Sequence, residues 1–189
     1  MAKHPKRTQA YPEAGMPAPA HRVAERSAAY GAAPSESGGG GMHHWLNFRE
    51  VYQATPLGRI DLIRAGVSAA DFKTFVGTLD IQQEKIFGML DIATATVNRK
   101  AGRNEPLSRE DSEKVVGMAK LIGQVETMLD ESGEPEAMPD FDAVRWLTHW
   151  MGQPVPALGG ASPSQYMDTI EGQAMIARLL AAMQTGAYA

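Results

Sequence analysis

Stretches with a sustained apolar period near 3.6 residues alternate along this chain with stretches that have none, and every periodic stretch is helical in spacing. The strongest covers residues 108–129, where Val115, Met118, Ile122, Val125 and Leu129 form one stripe and Val116, Ala119 and Leu121 widen it. Pro106 lies just outside, Ser108 is placed to cap, and Glu110 and Asp111 occupy the first turn, where acids meet the positive end of the helix dipole. This helix is either the central helix of one core or a connector that also lends a face to a homodimer. A second stripe, Met175, Ile176, Leu179, Leu180 and Met183, opens at Thr169 and Glu171 and stops before Gly186.

Shorter helices are expected upstream. Residues 57–65 read as one, ended by Gly66; Ser68-Ala-Ala-Asp71 is a capping pattern for the next, with Phe72, Phe75 and Val76 as its buried face. Residues 82–90 follow, with Ile86, Phe87 and Leu90 inward. After a turn at 91–93, residues 94–101 form a short helix with Val97 and Ala101 facing in. Two short helices around such a turn are what a helix-turn-helix requires. The second would present Thr94, Thr96, Asn98, Arg99 and Lys100, with Arg103 in the next loop. These side chains can contact phosphates, and Asn and Arg can read base edges, although an ordinary solvated helix face carries the same residue types.

Beyond a Gly-, Glu- and Pro-rich break at 131–139, Asp140 is placed to cap a helix holding Val144, Trp146, Leu147, Trp150 and Met151. Being apolar on most sides, it is expected to be buried, with both tryptophans and the later Leu158 in the core. Pro154 and Pro156 stiffen the segment that follows, Gly159 and Gly160 supply positive φ for a corner, and Ser162-Pro163 with Gln165 reads as a helix start. Strand signals are scarce, so the predicted class is all-α.

Composition narrows the function classes. The 189 residues contain no cysteine, which excludes disulfides, thiolate chemistry and Cys-ligated zinc. His43-His44 lacks a third ligand at metal spacing, and no metal or cofactor is expected. Four of the five histidines (4, 21, 43, 44 and 149) lie in or beside a low-complexity tail, and no Gly-rich phosphate loop follows a strand, so an enzyme fits least. Residues 1–41 are rich in Pro, Ala, Gly and Ser and read as a disordered tail with a charge of +2. The basic N-terminus has no apolar stretch after it, and no run of about 18 apolar residues occurs anywhere, so a cytoplasmic protein is expected. The net charge of −4 is uneven, since residues 126–189 carry nine acids against Arg145 and Arg178. That end suits a basic partner and not nucleic acid, or else it is a solvated acidic linker.

Trp150, Pro154, Leu158, Gly159, Gly160, Pro163, Thr169 and Gly172, closing on Gly186-Ala-Tyr188-Ala189, fall in an order that resembles the toxin-binding domain of the Xre/MbcA/ParS antitoxins. The likeness is clear over about 139–189 and softer over 57–131. Val155 stands where the family often has Asn, and Met151 where it often has Leu. The resemblance implies an antitoxin that neutralises a toxin, most often one with the RES domain, which consumes NAD or transfers ADP-ribose from it. It further implies that the C-terminal region covers the toxin's NAD-binding cleft, and that an Xre-like N-terminal domain binds promoter DNA and autorepresses the operon. The division expected is a tail at 1–41, a helix-turn-helix-like domain at 42–131 and a toxin-binding domain at 132–189. Gln173, Arg178, Gln184 and Thr185, on the polar side of the last helix, together with Gly186, Tyr188 and Ala189, are the expected toxin contacts, Tyr188 inserting its ring. A homodimer and a toxin–antitoxin hetero-oligomer are the expected assemblies. A stand-alone DNA-binding regulator without a toxin is the alternative.

Overall fold

A 23-residue helix, α6 (Arg109–Glu131), organises the structure, a computed structural model that describes residues 44–79, 81–132 and 141–185. Seven further helices surround it: α1 (Phe48–Gln53), α2 (Pro56–Ala65), α3 (Ala69–Thr78), α4 (Gln83–Met89), α5 (Thr94–Gly102), α7 (Ala143–Met151) and α8 (Ile170–Gln184). Short 3-10 turns lie at His44–Leu46, Pro156–Leu158 and Pro163–Tyr166. Among the described residues there is no strand, only an isolated bridge between Ser68 and Pro106. The all-α expectation is met. The expected tail at 1–41, His43, the Asp140 cap, and Gly186, Tyr188 and Ala189 lie outside the described residues.

Eleven residues of α6 are buried, and α1, α2, α7 and α8 all pack against it. Its predicted stripe from Val115 to Val125 is the centre of one apolar core that runs from Trp45 through Val116 and Ile122 to Leu180, while Leu129 is only half-buried and outside it. The expected role of central core helix is seen. Several helix starts agree with the capping patterns: Ser68 Oγ accepts from the Asp71 amide at 3.2 Å, Ser108 Oγ from Asp111 at 3.0 Å, and Thr169 Oγ1 from Gly172 at 3.1 Å.

Four expectations are corrected. The cap of α7 is Asp142 in place of the expected Asp140: its Oδ1 accepts from the Arg145 amide at 2.9 Å. Ser162-Pro163 opens a single 3-10 turn and not a helix; the Ser162 hydroxyl is engaged by Ser164 at 2.9 Å and Gln165 at 3.3 Å and caps no amide. Trp146, Trp150 and Leu158 pack against the core but are only half-buried, and the two indole rings stack on each other at 5.9 Å at its margin. Finally, Trp45 and α1, to which no helix was assigned, are part of the core: Trp45 is buried against Phe72 and Phe75, and α1 lies so close to α6 that a Cβ on Gly123 would sit 2.0 Å from the Phe48 carbonyl oxygen.

Candidate functional site

Two faces grow from this core, one around α7 and α8 and one around α4 and α5. In the first, Met151 ends α7 fully packed, and the chain turns through a loop held by backbone hydrogen bonds. The Val155 amide donates to the Ala161 carbonyl at 3.1 Å, while the Val155 carbonyl accepts from Leu158 at 2.9 Å and Gly160 at 3.1 Å. The Val155 side chain is buried, so an apolar residue serves here without any side-chain hydrogen bond to the turn. Gly159 (φ +65°) and Gly160 (φ +87°) have open space around a would-be Cβ; glycine is required by the backbone angle and not by crowding. The opposite holds at Gly172, where a Cβ would lie 1.9 Å from the Tyr166 carbonyl oxygen. Thr169 and Gly172 thus act together, the threonine capping α8 and the glycine letting its first turn press on the preceding backbone.

The apolar stripe of α8 packs inward as predicted, with Ile176, Leu179 and Leu180 buried and Met175 and Met183 half-buried. Gln173 is a correction: expected on the exposed polar side, it is buried at 5% exposure. Its amide nitrogen donates to the carbonyls of Lys114 at 3.1 Å and Met167 at 2.9 Å. The side chain occupies the space left by Gly117, where a Cβ would collide with its Oε1. The signal was present in the spacing, since Gln173 precedes Ile176 by three and Leu180 by seven residues and so lies on the buried stripe. Arg178, Gln184 and Thr185 are exposed as expected. Arg178 reaches Glu171 at 3.3 Å, and Gln184 donates to Glu131 at 2.8 Å, tying the end of α8 to the end of α6. On α7 the Trp146–Trp150 stack, with Phe141 centred 6.3 Å from Trp146, adds an aromatic surface that spacing had assigned to the core. Nearby on α6, burial pushes the Glu126 carboxyl above its usual range, Arg49 opposing and Asp130 adding to the shift.

In the second face, the turn between α4 and α5 is fixed by the Ile92 amide donating to the Phe87 carbonyl at 2.8 Å, with Asp91 at φ +49°. Lys114 on α6 braces it, its Nζ donating to the Asp91 carbonyl at 3.3 Å. Val97 is fully buried, and Ala101 half-buried, which orients α5 as predicted. Asn98, Arg99 and Arg103 are exposed, while Thr94, Thr96 and Lys100 are half-buried. Lys100 donates to the Pro106 carbonyl at 2.9 Å, and Arg99 and Arg103 share the Glu105 carboxylate at 3.8 and 3.9 Å. Such long, solvated pairs are weak and open easily to a competing phosphate, whereas the lysine is engaged in holding the loop. Among the described residues there is no group of His, Asp or Glu able to hold a metal, and no helix is long and apolar enough to cross a membrane.

A helix-turn-helix and a capped C-terminal helix unit on one core define a two-part regulatory protein. A family model of the antitoxin Xre-like helix-turn-helix domain matches residues 58–120, and one of the antitoxin Xre/MbcA/ParS C-terminal toxin-binding domain matches residues 141–186. The chain is 50% identical over 142 residues to "Prs ADP-ribosylating antitoxin" from Sphingobium sp. (strain YBL2), an alignment spanning 75% of this chain and 87% of that relative. The chain belongs to the Xre/MbcA/ParS antitoxin family: it is an antitoxin of a toxin–antitoxin system, and its partner is a toxin.

Proposed function

We propose that the chain silences its toxin by occupying the NAD-binding cleft of a RES-domain enzyme, without chemistry of its own. The observation that carries this reading is the course of α8. Its exposed residues Arg178, Gln184 and Thr185 lead directly into the last residues of the chain, within and just beyond the segment matched to the toxin-binding domain. Gly186, Tyr188 and Ala189 are assigned to the same contact, and Gln173 is reassigned from contact to support of α8. The half-exposed Trp146–Trp150 stack joins the toxin-facing surface, as aromatic residues anchor interfaces well. The relative's name associates its system with ADP-ribosylation, a reaction that takes its ADP-ribose from NAD. A cleft that receives the phosphates of NAD is basic, and the nine acids of residues 126–189 complement it.

The second part of the proposal is autorepression in the cytoplasm. A homodimer presents α5 from each copy to promoter half-sites, with Asn98, Arg99 and Arg103 toward the duplex and Thr94 and Thr96 at the helix start; Lys100 supports the loop. The tail at 1–41 and the boundary at 131/132 complete the proposed division of the chain by role, the two parts after the tail sharing one core.

Co-purification with the adjacent gene product, followed by an NAD-consumption assay with and without this chain, tests the first part. A stable complex whose partner consumes NAD only when freed is the expected result. Deleting residues 186–189 should leave the fold intact and weaken inhibition. A chain that binds its promoter but captures no NAD-consuming partner would instead support the stand-alone regulator.

A further inference from the structure

Among the large hydrophobic side chains described, Leu57 (62% exposed), Ile60 (39%) and Ile170 (46%) stand out in solvent. Ile60 and Ile170 flank an open apolar groove of about 240 Å³ between α2, α6 and α8, with Pro56, Ile63, Val116 and Ala174 in its walls. α2 buries no residue at all, although it carries Leu57, Ile60, Leu62 and Ile63. A helix with that much apolar surface and so little cover is incomplete as it stands.

The charges at the groove indicate what covers it. Glu113 and Lys120 both line it from α6, seven residues apart. Two helical turns, about 10 Å along the axis, keep them from meeting within one chain. Neither side chain makes a hydrogen bond or ion pair among the described residues, and Arg59 beside them is engaged in donating to the carbonyls of Val51 at 3.3 Å and Tyr52 at 3.1 Å. Burial, with Arg59 adding to it, pushes the Lys120 ammonium below the usual lysine range, as expected of a cation without its counter-charge. One acid and one base, unpaired at opposite ends of one apolar strip, make a self-complementary patch: a two-fold axis over Val116 and Gly117 exchanges their positions.

We propose that this groove is the homodimer interface, in which α2 of a second copy lays Leu57 and Ile60 into the groove while Glu113 of each copy pairs with Lys120 of the other. This rests on the dimeric reading above and adds to it the surface, the partner residues and the symmetry.

Sedimentation of the full chain over a range of concentrations tests it. The unmodified chain should sediment as a dimer. Ile60→Glu, a change at an exposed position, should weaken dimerisation by about tenfold or more with the helical circular dichroism retained. Glu113→Lys and Lys120→Glu should each weaken it several-fold, and the double exchange should restore it. A monomer at every concentration would overturn the dimeric reading and this interface together. A dimer indifferent to Ile60→Glu and Leu57→Glu would overturn this interface alone, and single charge reversals without rescue would overturn its two-fold pairing.

Discussion

Around α8 the residues on which the family resemblance was read act on the backbone, whereas around α5 the candidate contacts act through side-chain heads that can swing. Gly172 is pressed on the Tyr166 carbonyl, Thr169 caps the helix, and Gly159 and Gly160 hold angles that other residues rarely adopt. Arg99 and Arg103 lean on one carboxylate at nearly 4 Å. The C-terminal unit therefore carries a rigid frame that presents a surface, and the helix-turn-helix carries a surface whose frame is generic core packing through Val97 and Ile92. Geometry tolerates few residue types, so motif positions concentrate in the frame; contacts with a partner tolerate many and leave fainter traces.

The most severe way to break this contrast is Gly172→Ala. A methyl group 1.9 Å from a carbonyl oxygen forces α8 off the preceding turn, and a loss of about 3 kcal/mol is expected in denaturant unfolding, with toxin capture lost as well. Wild-type stability in that variant would show that the frame is not a frame. Next comes Gln173→Ala, which removes two buried hydrogen bonds and opens space beside Gly117; about 2 kcal/mol should be lost while the correctly folded fraction still inhibits. Normal stability with lost inhibition would return Gln173 to the interface. Arg178→Ala sharpens the same distinction from the other side: its exposed pair with Glu171 is worth no more than about 0.5 kcal/mol, so the fold should be indifferent and inhibition should fall.

For the second face, Arg99→Ala and Arg103→Ala should each lower promoter affinity and reduce the salt dependence of binding by about one unit of slope, with melting temperature unchanged. Lys100→Ala should cost stability more than DNA affinity, since its ammonium holds the Pro106 carbonyl. The smallest effect concerns the acidic stretch. The Glu126 carboxyl titrates higher in the folded chain than in the unfolded one, so the advantage of its protonated form is present at low pH and is lost as pH rises through the raised value. Glu126→Gln should therefore be slightly more stable than wild type at neutral pH, the difference vanishing in acid.

Most helices were legible because their stripes and caps agree: Ser108 with Val115 to Val125, Ser68 with Phe72 and Val76, Thr169 with Ile176 to Leu180. What escaped has physical causes. α1 has six residues, too few to show a period, and follows a glycine run, so its burial is decided by contact with Gly123 far along the chain. The tryptophans of α7 look like core because hydrophobicity says nothing of where a core ends; they sit at its margin and shield each other. Gln173 looked like surface because polar residues usually are, and only the facing Gly117 reveals the space made for it. The groove beside α2 was invisible for another reason: residues 57–65 show no clear stripe, and only the fold reveals that Leu57 and Ile60 are left uncovered.

Because α6 lends its buried faces to both ends of the molecule, neither end has a core of its own to fall back on. Loss of α6 packing removes the support of α8 and of the turn before α5 in one step. For a cell this sets the manner of turnover: a protease that unravels the chain from any point ends the restraint of the toxin and the shape of the helix-turn-helix together, so that both outputs share one lifetime.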